Sequence, residues 1–226
     1  MYAIVGSGEY LAPMEAVDRE LLGLLGPDPK VVCIPAAAGR EGDAMIDDWM
    51  HRGVNHFRSL GVDAEGARVW DHATANNADL AATVRAADLV YLSGGKPGYL
   101  HSVLESSSVW DAIIDVTSRG GLLVGCSAGA MIQGDTFRGM ATSSSGFGLW
   151  PGVQVIPHFD EIPAPIASTM RLAAGKGTTV IGVNGNTAMV SAGGTYRVVG
   201  EQVTIWSRAG KHTFGPGEVP AELLYP

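Results

Sequence analysis

A chain of 226 residues with 46% apolar and 17% charged residues can bury a large core without disulfide or metal staples. Its net charge of −8 leaves no basic stripe for phosphates, so the expected partner is a small peptide or other small molecule, with no nucleic acid, no membrane and a homodimer as the self-association to look for. Cys33 and Cys126 fall in no metal-ligand spacing, no 18-residue apolar run occurs and no signal-peptide layout opens the chain, so the expectation is a cytoplasmic protein with reduced thiols and no metal or cofactor.

In chain order, short apolar runs at residues 2–5, 30–34, 67–70, 89–92, 122–125 and 153–156 read as strands. Between them, segments 13–26, 43–61, 77–87 and 108–120 carry helical periodicity, with acidic residues early and Lys, Arg or Gly near several ends. That alternation predicts a three-layer α/β/α sandwich on a mostly parallel, flavodoxin-like sheet. Past Thr178, closely spaced β-rich runs broken by Asn-Gly, Gly-Gly and Gly-Glu predict a C-terminal antiparallel β extension. Residues 1–226 then form one domain, and the polar, glycine-rich segment 138–152 reads as a long surface loop.

The stretch "GGLLVGCSAGAMIQG" contains Gly-Cys-Ser-Ala-Gly between a predicted strand and a predicted helix. In that setting G-x-S-x-G is a nucleophile elbow: glycines permit the sharp turn, the central residue stands out, and the first helical amides face a developing oxyanion. Ser127 holds the centre, and Cys126 points back towards strand packing. A plain tight turn for close helix and sheet packing is the alternative. Among six histidines, His158 in "VQVIPHFDE" also follows a short strand, at the edge where open α/β sheets bind ligands. His51 and His56 read as part of a helix face, and His72, His101 and His212 sit at turns or loops without nearby chemistry.

The segments "GCSAGAM", "VYLSGGKPGYL", "GFGLWPGVQVIPHF" and "IGVNGNTAMV" occur in the order seen in the dipeptidase E and cyanophycinase family of serine peptidases, which this chain resembles over most of its length. The resemblance implies a fold like class I glutamine amidotransferases, Ser127 as nucleophile and His158 as base. It also implies that Gly94 and Gly95 approach the scissile carbonyl, a backbone amide there joining that of Ala128 in the oxyanion hole. Aspartyl or β-aspartyl peptides are the substrates it suggests.

The pattern departs at several positions. The only acid from Ala128 to Pro157 is Asp135, a candidate third triad member. A helix running on from Ser127 would carry its backbone about 12 Å away at about 1.5 Å per residue. Thr142, Ser143, Ser144 and Ser145 offer hydroxyls where the family acid is expected, while Asp160 and Glu161 either assist His158 or open the next helix. Lys96 and Pro97 replace the residues usual after the paired glycines, and Asn184 and Gly185 replace an Asp-Glu pair. Lys96 is then a solvated side chain or a cation for an anionic substrate group, Arg171 a carboxylate ligand or a helix cap, and Glu9 an amine ligand or a helix entry. Three alternatives remain: an esterase or amidase using Ser127 and His158, an amidotransferase using Cys126, and a silent binding protein.

Overall fold

The computed structural model describes residues 1–138, 143–175 and 177–225. The first half alternates strands and helices: β1 (Tyr2–Val5), α1 (Glu15–Leu22), β2 (Lys30–Ile34), α2 (Asp43–Ser59), β3 (Asp63–Gly66), α3 (His72–Ala75), α4 (Ala78–Arg85), β4 (Leu89–Leu92), α5 (Pro97–Leu104), α6 (Ser108–Ser118) and β5 (Leu122–Cys126). A single helical turn, α7 (Ala128–Met131), leads into β6 (Thr136–Arg138), β7 (Ser143–Ser145), β8 (Val153–Ile156) and α8 (Ala164–Ala173). Six strands follow: β9 (Thr179–Val183), β10 (Ala188–Ala192), β11 (Thr195–Val199), β12 (Val203–Ser207), β13 (Gly210–Phe214) and β14 (Gly217–Val219).

The main sheet runs β14-β11-β10-β1-β5-β4-β2-β3. Its parallel part, read β3-β2-β4-β5-β1, is the flavodoxin order with the N-terminal strand in the last place. Strand β10 joins β1 antiparallel, and β11 and β14 continue the antiparallel edge. Two-residue alternation sorts the sheet into faces. Val5, Val31, Cys33, Leu89, Tyr91 and Val124 pack against α1 and α2 through Val17, Leu21 and Phe57. On the other face Val32, Ile34, Val90, Leu92 and Leu123 meet Val84, Val103, Ile113 and Val116 of α4, α5 and α6. In α6 the buried Val109, Ala112, Ile113 and Val116 follow helical spacing, and Ser107 caps the entry by accepting from the Trp110 amide.

Two strand assignments differ from the sequence reading. Residues 67–70 are not a strand: pairing with β2 occupies 63–66, an edge strand of sequence Asp-Ala-Glu-Gly in which only Ala64 is fully buried, so the apolar run beyond it drew the assignment. Ala67 and Val69 are nonetheless buried. Strand β8 belongs to a second sheet, β13-β12-β9-β8, where it runs parallel to β9. That sheet packs Val155, Ile181, Val183 and Ile205 with Ile4, Met189 and Val198 of the main sheet. The C-terminal β region therefore both extends the main sheet and covers it. In the predicted loop 138–152, Ser143–Ser145 forms a strand paired with β6.

Candidate active site

Adjacent strands β1, β5 and β4 end together, and the residues just past them form the site. Strand β5 turns into α7 at Ser127, whose φ of 50° and ψ of −105° lie outside the regions L-residues favour. Such a residue costs about 1–3 kcal/mol, of the order that one well-buried aliphatic side chain contributes. The flanking motif glycines are required by contact. A Cβ on Gly125 would stand 2.2 Å from the Gly129 carbonyl oxygen, and one on Gly129 would stand 2.7 Å from that of Leu92. After α7, buried Gln133 donates to the Ala3 carbonyl at 3.0 Å, which ends the helix against β1 after one turn.

His158 follows β8 in the left-handed region, φ 52° and ψ 36°, and opens a 3-10 turn over Phe159–Glu161. Its Nε2 lies 3.1 Å from Ser127 Oγ, and its Nδ1 lies 3.3 Å from Glu161 Oε1. An ionised carboxylate can only accept, so Nδ1 donates to Glu161 and Nε2 is left to accept from the serine hydroxyl. Asp160 turns the other way, accepting from the Gly185 amide at 2.7 Å and tying the histidine turn to the β9–β10 connection.

The structure does not bring Asp135 to the histidine. It lies exposed beyond the helical turn, its amide donating to the Val153 carbonyl at 2.8 Å, while Glu161 takes the ring nitrogen that a third residue would hold. Helix α7 stops too early for the straight-helix distance to apply. Ser144 and Ser145 are exposed in β7 and make no bond to His158, Ser143 pairs with Arg138 through the backbone, and Thr142 lies outside the described residues. Glu161 carries no spacing signal; the one clue was two acids shortly after a strand-end histidine.

Gly94 and Gly95 follow β4. A Cβ on Gly94 would meet Glu9 Oε1 at 2.6 Å and Ser127 Cβ at 3.2 Å, so this loop lies against the elbow. The Gly94 amide donates to Glu9 Oε1 at 2.9 Å and is thereby engaged. The amides of Gly95 and Ala128 donate to no group among the described residues. Cys126 is fully buried, donates its S–H to Glu9 Oε2 at 3.0 Å, and is held well above the ordinary thiol value by burial first and the Glu9 charge next. A thiol kept protonated in the core is not a nucleophile. Lys96 is exposed at the start of α5, with no ion pair among the described residues. Arg171 is spent on its own helix, donating to the Gly175 carbonyl at 3.3 Å. Among the described residues no group of three or more His, Cys, Asp or Glu side chains is placed to hold a metal, and no helix is long and apolar enough to cross a membrane.

Sheet, elbow and facing histidine together are those of a serine hydrolase. More narrowly, the chain belongs to peptidase family S51, whose family model matches residues 3–199, and it is a serine peptidase. A solved peptidase from an acI-B1 Actinobacterium is 32% identical, with 96% of this chain and 95% of that one covered and a TM-score of 0.86. A peptidase E-like protein from Listeria monocytogenes EGD-e shares the fold at 17% identity, with 88% and 96% covered and a TM-score of 0.63. No curated protein matches.

Proposed function

We propose that the chain hydrolyses short peptides with an aspartyl or β-aspartyl residue through an acyl-enzyme on Ser127. The observation that carries the mechanism is the 3.1 Å contact between Ser127 Oγ and His158 Nε2 on a strained elbow. In this reading His158 takes the hydroxyl proton as Oγ bonds to the scissile carbonyl carbon. The resulting oxyanion receives the amides of Gly95 and Ala128, both without an internal acceptor among the described residues. His158 then returns the proton to the leaving nitrogen as the C–N bond breaks. Water, deprotonated by the same ring, releases the acid and restores the serine. Glu161 keeps Nδ1 protonated and offsets the imidazolium charge; Asp135 has no part in this scheme.

The substrate class is supported by the family and by an exposed Lys96 next to Gly95, a cation an acidic substrate residue can approach. The test is a panel of Asp-Xaa, β-aspartyl and Ala-Xaa dipeptides with p-nitrophenyl acetate, run on the wild type, Ser127→Ala and Lys96→Met. Hydrolysis of the acidic peptides, lost in Ser127→Ala and with raised KM in Lys96→Met, is expected. Turnover of the ester alone would replace the peptide reading with the esterase one, and turnover surviving Ser127→Ala would remove the mechanism.

A further inference from the structure

Glu9 follows β1 at the edge where the elbow and the glycine loop meet, and its two carboxylate oxygens are divided between them. Oε1 accepts the Gly94 amide at 2.9 Å and Oε2 accepts the Cys126 thiol at 3.0 Å. One partner directly precedes Gly95 and the other directly precedes Ser127. The loop is fixed on its other side as well, because the Lys96 amide donates to the Ala37 carbonyl at 3.2 Å. Of three consecutive amides, the outer two are tied to the protein and the middle one, Gly95, is left for a ligand.

That arrangement needs an external restraint. Gly94 and Gly95 lack side chains, Gly95 sits at φ 142°, and a peptide plane between two glycines turns over readily. If the Gly94–Gly95 plane turned, the Gly95 N–H would face away from the carbonyl at Ser127. A side chain cannot supply the restraint from within, since a Cβ at Gly95 would stand 2.6 Å from the Ala37 carbonyl oxygen. Glu9, reaching across from beyond β1, holds the N–H of the preceding Ser93–Gly94 plane, as Ala37 holds that of the following Gly95–Lys96 plane, so the two ends from which the Gly95 amide is set are both fixed.

We propose that Glu9 is a positioning residue that sets the oxyanion hole by clamping the Gly94 amide and the Cys126 thiol, and that it does not bind the substrate's amino group. The proposal rests on the reading of Ser127 as nucleophile and Gly95 as oxyanion donor. It goes beyond that reading in naming what holds the donor in place. A carboxylate whose oxygens already face one protein donor each is suited to fixing backbone, and its cost in a half-buried position is offset by two hydrogen bonds, one of them to a backbone amide.

The experiment compares the wild type, Ser127→Ala, Glu9→Gln and Glu9→Met. The rate of labelling by a fluorophosphonate probe is followed together with kcat and KM on an aspartyl p-nitroanilide. Glu9→Gln keeps an acceptor for the Gly94 amide and is expected within about threefold of wild type, whereas Glu9→Met, losing one oriented oxyanion donor, is expected to slow labelling and kcat by about 10²-fold. KM should change less than about threefold in either, since the ground-state contacts are kept. A Glu9→Met enzyme as fast as wild type overturns the proposal, as does a Gln variant as slow as Met, and so does a large rise in KM with kcat kept, which would make Glu9 an amine ligand. If Glu9→Met melts below the assay temperature, Glu9→Asp, one methylene too short to reach both partners, takes its place with the same expected loss. Wild type unlabelled at Ser127, or labelling equal in Ser127→Ala, would instead bring down the underlying reading, so the two failures are distinct.

Discussion

Among the described residues two histidine–carboxylate pairs occur, one at the sheet edge and one between α1 and α2. His158 and Glu161 are 3.3 Å apart with side chains 41% and 65% exposed. His56 and Asp18 are 2.7 Å apart and 5% and 1% exposed, walled by the rings of Tyr10 and Phe57. The shorter and drier pair is the one away from the proposed reaction. Burial pushes the Asp18 carboxyl up, which the His56 contact only partly counters, and Asp18 Oδ1 has no partner among the described residues. A pair sealed in this way joins two helices and exchanges protons slowly with solvent. The exposed pair is weak as a staple, yet it can meet a substrate and hand on a proton.

His158→Gln is expected to lower labelling of Ser127 and peptide hydrolysis by at least about 10⁴-fold. Its melting temperature should move by less than about 2 °C, because the side chain is half exposed. Asp18→Ala should do the reverse, removing about 3 kcal/mol of stability by stranding a buried ring, read from urea unfolding, while the folded enzyme keeps its labelling rate. Loss of activity at full stability in Asp18→Ala would mean the buried pair communicates with the site.

Burial raises the Cys126 and Tyr91 groups well above their ordinary values and pushes Cys33 up to about 12. The unfolded chain therefore releases these protons first. Stability is complete below the ordinary thiol value of 9.0 and is lost as pH rises from there towards the folded values. Unfolding free energy should fall by about 1.4 kcal/mol per pH unit per thiol in that range. A profile flat from pH 8 to 10.5 would contradict the buried, protonated thiols. The smallest effect is at Glu161: since an exposed ion pair is worth about 1 kcal/mol at most, Glu161→Gln should lower kcat only about tenfold. A loss as large as that of His158→Gln would show that the exposed carboxylate is not the minor partner.

What could be read from the chain followed from local chemistry. The turn at Ser127 was legible because the contacts that forbid a Cβ at Gly125 and Gly129 leave a short glycine pattern, and the position of the proposed base His158 because a strand end precedes it. Strand β3 was displaced because its pairing residues are mostly polar and the buried Ala67 and Val69 follow it. Glu161 stood in plain view, but a 3-10 turn brings it back onto the histidine where an acidic helix start was an equal reading. Asp135 drew attention through its position in the sequence alone; the chain leaves the helix after one turn and directs it outward. The clamp at Glu9 joins positions 85 and 117 residues apart, a relation no short motif carries.

The seat of β1 has a consequence for the order of events during synthesis. The first strand made lies between β5 and β10, with Val5 opposite Cys126 on one side and Ala188 on the other. Its neighbours leave the ribosome long after it does, and contacts of such sequence separation form late. Glu9 and the elbow come into register only once β5, whose Cys126 lies 117 residues after Glu9, has been made. A nascent chain that stops short of β10 thus carries Ser127 and His158 while one flank of β1 is still unpaired.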